Sequence, residues 1–99
     1  MSIQQLKADE FQSRAYELCN DIHQHKIKSI TLTEMQLEFY GVQLIEVMRT
    51  FLSFLEQLQS QPELNWYEDT PFTWHVYADK HKDGYKLKFI QRLDLTKHS

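Results

Sequence analysis

The sequence predicts an α+β fold: two antiparallel helices packed on one face of a small antiparallel β-meander, in the order α-α-β-β or α-α-β-β-β. Three observations predict it. Apolar side chains recur at helical spacing through residues 3–59. After Gln61-Pro62 the period changes to alternation. Asp83-Gly84 then separates two alternating runs, the dipeptide most favoured in two-residue hairpin loops.

The first helix is expected over about 3–25. On a wheel of ~100° per residue, Ala8, Phe11, Ala15, Leu18, Cys19 and Ile22 fall in one sector, with Lys7, Asp9, Glu10, Arg14, Glu17, Asn20 and Asp21 outside it. That is an amphipathic helix with a single buried stripe. Ser2 and Gln5 have the spacing of a capping box at its start.

Residues 26–33 read two ways. Ile30 and Leu32 alternate with polar residues, as in a short strand. Thr31 with Glu34 has capping-box spacing, and Ile30 with Met35 has that of a hydrophobic staple, so a helix start is preferred.

The second helix is expected over about 34–59, about 39 Å at ~1.5 Å per residue. Its broad face holds Leu37, Tyr40, Leu44, Val47, Met48, Phe51, Phe54, Leu55 and Leu58. Met35, Phe39 and Val42 break into the opposite, polar side. They form a short second ridge, to be covered by the first helix or by a partner. Gly41 lies among them, where a glycine admits a close neighbour or marks a kink.

Strands are expected at about 64–68, 72–82 and 85–95, the first being the weakest. With Asp83-Gly84 as the loop, Lys82 pairs with Tyr85. Ala78, Phe89, Val76, Gln91, Trp74, Leu93, Phe72 and Leu95 then share one face. Asp79, Lys88, Tyr77, Ile90, His75, Arg92, Thr73 and Asp94 share the other. A one-residue slip would mix the faces, so their separation supports the assignment.

Length and composition bound the function. At 99 residues the chain is expected to be a single domain, 1–99. Its single cysteine, Cys19, forms no intrachain disulfide and fits a reducing compartment. The N-terminus lacks the apolar run of a signal peptide, and Glu38, Glu46, Arg49 and Glu56 interrupt the long helix. The expectation is a cytoplasmic protein with no membrane association. Only two glycines are present, too few for a Gly-rich phosphate cradle.

Charge divides unevenly. Residues 1–70 carry five basic and eleven acidic side chains, a net of −6; residues 71–99 carry six and three, a net of +3. Such asymmetry fits two solvated faces or a basic contact surface.

The five histidines and one cysteine do not show the paired spacing of a zinc site, so no metal or cofactor is expected. Glu17 and Asp21 flank Cys19, the reverse of the electropositive setting that activates a thiol. No catalytic constellation stands out, and the expectation is a non-enzyme. The class that fits is a small protein-binding regulator or inhibitor of the adaptor, immunity or anti-defence type, acting as a homodimer.

Two contact sites are expected. One is the ridge of Met35, Phe39 and Val42. The other is the polar hairpin face with His75, Tyr77, Lys86, Lys88 and Arg92. The rival is a nucleic-acid-binding domain using that face, since basic residues interleaved with an aromatic track a backbone and stack bases.

Overall fold

The structure is a computed structural model describing residues 3–60 and 72–93. Its elements are α1 (Ile3–His23), β1 (Ser29–Thr33), α2 (Glu34–Tyr40), α3 (Leu44–Ser60), β2 (Phe72–His81) and β3 (Gly84–Leu93). The expected α+β class is the one observed, with an antiparallel sheet ordered β1-β3-β2. The expected 64–68 strand, the Ser2–Gln5 capping box, Asp94 and Leu95 lie outside the described residues or depend on ones that do.

The core lies between the helices and the inner sheet face. Phe11, Ala15, Cys19 and Ile22 of α1 are buried against Val47, Phe51, Leu55 and Leu58 of α3. Trp74, Leu87 and Phe89 close it from the sheet, and Phe51 stacks on Phe89 with ring centroids 5.5 Å apart. The wheel of α1 holds except at Ala8, which is exposed.

α1 ends in a Schellman motif. The Lys26 N–H donates to the Asp21 carbonyl at 2.9 Å and the His25 N–H to the Ile22 carbonyl at 3.0 Å. This places His25 at φ 64, a left-handed position usually given to glycine.

The preferred helix start at 26–33 is corrected: residues 29–33 are a strand. Ile30 and Leu32 pair opposite Leu87 and Tyr85 of β3, so both pack on the core face. A helix start would have engaged Ile30 alone, through a staple to Met35. Met35 is instead 77% exposed. A capping box does exist, two residues later. The Gln36 N–H donates to Thr33 Oγ1 at 3.1 Å and the Thr33 N–H to Gln36 Oε1 at 2.9 Å.

The continuous helix over 34–59 is also corrected. Gly41 takes φ 66 and ends α2, and α3 begins at Leu44. The Gly41 N–H donates to the Glu38 carbonyl and the Val42 N–H to the Leu37 carbonyl, both at 3.1 Å. With this second Schellman motif both Leu37 and Val42 pack against the core. The break turns Val42 inward, off the ridge expected with Met35 and Phe39.

The hairpin register differs from the expected one by two residues. His81 pairs with Gly84, Ala78 with Leu87, and Val76 with Phe89. The loop is therefore Lys82-Asp83, with Lys82 at φ 50. An even shift leaves every side chain on its expected face, because strand side chains alternate with period two. Gly84 serves a different purpose from a turn glycine. It lies opposite Thr33 of β1, where an added Cβ would stand 2.6 Å from the Thr33 Cα and closer still to the Leu32 carbonyl oxygen. The glycine is needed for the close approach of β1 to β3.

Candidate binding surface

With the helices on the inner face, the outer sheet face carries the side chains that alternate with the core: His75, Tyr77 and Asp79 of β2 with Lys86, Lys88, Ile90 and Arg92 of β3. Pairing sets Tyr77 opposite Lys88 and His75 opposite Ile90. The His75 and Tyr77 rings stack at 6.4 Å with an 18° interplanar angle. Arg92 reaches along the sheet and places its guanidinium 5.5 Å from the Tyr77 ring centre, within cation–π range.

Tyr77 is 37% exposed and Ile90 39%, so an aromatic and an aliphatic side chain sit in the middle of this face. The rim is charged. Lys88 Nζ lies 3.1 Å from Asp79 Oδ2. On the opposite face, at the hairpin end, Lys80 Nζ lies 3.5 Å from Glu34 Oε1 and 5.0 Å from the Tyr85 ring centre. In both ion pairs the side chains are at least half exposed, so they hold orientation more than they stabilise.

All five sheet residues expected at a site are thus brought onto one surface. The α2 residues are not part of it. Met35 and Phe39 remain exposed, and the Phe39 ring receives Lys7 Nζ from α1 at 4.5 Å and Tyr40 edge-on at 5.0 Å. Val42, expected with them, packs on the core. The sites residue by residue therefore reduce to a five-residue sheet face and a two-residue apolar patch. Ile90 and Asp79, which sequence alternation also sets on this face, join the five expected site residues. The signal is the alternation of Asp79 with His75 and Tyr77 on β2 and of Ile90 with Lys88 and Arg92 on β3.

The groups with reactive or ligating chemistry are held in quiet settings. Cys19 is fully buried, its Sγ donates to the Phe51 carbonyl at 3.4 Å, and burial pushes its thiol pKa up to about 12. Partial burial, with the nearby His25 charge second, holds the His23 imidazole below its usual value. Among the described residues no group of three His, Cys, Asp or Glu side chains is placed to hold a metal ion. No described helix is long and apolar enough to cross a membrane.

No protein-family model, no curated protein and no solved structure matches this chain.

Proposed function

We propose that the chain is a non-enzymatic protein-binding regulator or inhibitor that contacts its target with the outer sheet face and self-associates through α2. The observation that carries the reading is the composition of that face. Tyr77 and Ile90 form an exposed apolar centre, His75 and Arg92 flank the tyrosine, and Lys86, Lys88 and Asp79 make a charged rim. Protein interfaces concentrate their energy in such aromatic and arginine anchors inside a polar border. An acidic or mixed-charge target surface complements it.

The nucleic-acid reading shares the basic residues but is less well supported. Asp79 sets a carboxylate among them and engages Lys88, which reduces the attraction for phosphate. Two basic faces repel each other, so self-association is assigned to Met35 and Phe39, which carry no charge.

Three experiments test the reading. Light scattering is expected to give a dimer for the wild type and a monomer for Phe39→Glu; a monomeric wild type removes the homodimer. Affinity capture from the source cell is expected to retain a protein that Tyr77→Ala and Arg92→Ala lose. A protein retained equally by all three sinks the sheet-face assignment. Oligonucleotide binding that weakens with salt and disappears in Tyr77→Ala would replace the protein reading with the nucleic-acid one.

A further inference from the structure

The sheet is uneven along its β1 side. β1 ends its pairing at Ser29 opposite Lys88, with one more bond from the Phe89 N–H to the Lys28 carbonyl at 3.2 Å, whereas β3 continues to Leu93. A groove of about 470 Å³ opens at this step, between the end of α1 and the far part of β3. That volume lies in the range of small-ligand sites, roughly 300–1,000 Å³.

Its walls are of two kinds. Ile27, Trp74 and Phe89 supply an apolar floor, and His25, Lys28 and Lys86 stand around it. Lys88 also reaches the groove but is engaged by Asp79. No described acidic side chain lines it, although the chain as a whole carries a net −3. Lys28 and Lys86 have no carboxylate within ion-pair distance among the described residues.

The decisive atom is Trp74 Nε1. Trp74 is only 4% exposed, and its indole nitrogen is the one buried side-chain N or O among the described residues without a hydrogen-bond partner. An indole N–H donates only, and a buried donor left unpaired is costly enough that native proteins rarely keep one. Trp74 itself lines the groove, whose other walls carry cationic side chains and no described acid.

We propose that this groove is a binding site for a small organic carboxylate. The apolar body lies on Ile27, Trp74 and Phe89, and the carboxylate is held by the Lys28 and Lys86 ammonium groups. The Trp74 indole N–H donates to one carboxylate oxygen. A carboxylate on an apolar body satisfies all three features, where a bare inorganic anion leaves the floor unused. The groove shares Lys86, Lys88 and Ile90 with the outer sheet face, but Tyr77, the residue on which the protein-contact reading is tested, does not line it.

The test follows the indole N–H resonance of Trp74 by NMR on the full chain, assigned against Trp66 with a Trp66→Phe variant. Phenylacetate and hexanoate are titrated beside benzyl alcohol and inorganic phosphate. The expected result is a saturable downfield shift of the Trp74 signal with both carboxylates. Lys28→Gln, a change at an exposed position, is expected to weaken binding roughly tenfold, the loss of one charge-assisted contact. Tyr77→Ala is expected to leave it unchanged, which separates this site from the sheet-face contact. An unmoved Trp74 signal overturns the proposal. So does equal binding of benzyl alcohol, equal binding by Lys28→Gln, or phosphate binding as tightly as the carboxylates.

Discussion

Replacing Gly84 with alanine sets a methyl group against the backbone of β1. The added Cβ lies 2.6 Å from the Thr33 Cα, where ordinary contact begins at 3.4 Å. The Leu32 carbonyl oxygen lies closer still, so β1 must retreat by more than ~0.8 Å at this pair, as must occur in any overpacked contact that cannot rotate away. The obstacle is main chain, so no side-chain rotamer relieves it. The retreat strains the Ser29–Thr33 ladder and the bond from the Glu34 N–H to the Asp83 carbonyl at 3.2 Å, and it loosens Ile30 and Leu32 over the core. Overpacking costs about 1–3 kcal/mol, and partial release of two apolar side chains adds about 1 kcal/mol. A loss near 3 kcal/mol is expected, a large share of the ~5–15 kcal/mol stability of a small domain. With a urea slope near 1.5 kcal/mol/M, the midpoint falls by about 2 M. Gly41→Ala is the control. It has a φ of 66 but no atom within 4 Å of the new Cβ, so it should cost only the left-handed penalty of about 1 kcal/mol. Urea unfolding followed by circular dichroism measures both. A loss at Gly84 no larger than that at Gly41 refutes the close-approach argument.

Three further outcomes follow from the same structure. His25→Gly relieves a left-handed residue at the end of α1 and should raise Tm by about 4 °C, by calorimetry, for a gain near 1 kcal/mol. His23 is held below the usual imidazole value of 6.5 in the folded chain, so the unfolded chain binds its proton first. Its contribution to stability is therefore full above that pH and is lost as pH falls through and below it. Urea midpoints measured from pH 7.5 to 5 should fall less in His23→Gln. The Cys19 thiol has the opposite dependence. Its folded value of about 12 exceeds the ordinary 9.0, so its contribution is present below pH 9 and declines as pH rises toward 12. At pH 8 an aromatic disulfide reagent should label Cys19 only at the rate of unfolding; prompt labelling of the native protein would contradict its burial.

Periodicity made the fold class, α1 and the two sheet faces legible before the structure. It specifies which face a residue takes, not which partner it meets, so the hairpin could move by two residues while the faces stayed the same. The errors came where two local patterns fitted one segment. Ile30 and Leu32 alternate as in a strand, while Thr31 and Glu34 fit a helix start. The open side of β3 decided for the strand, since pairing there seats both apolar side chains on the core. At Gly41 the helical pattern continues on either side, yet the chain turns. The Schellman bonds and the packing of Leu37 and Val42 on the core offset the loss of a few continuous helical hydrogen bonds.

The same division holds at the candidate sites. Strand alternation, with a hairpin register of the right parity, determined that His75, Tyr77, Lys86, Lys88 and Arg92 would share a face. Only the tertiary structure removed Val42 from the α2 ridge. It also brought Lys28 and Trp74, 46 positions apart in the chain, to one groove. That encounter depends on β1 pairing with β3, a contact between distant segments that no local period encodes.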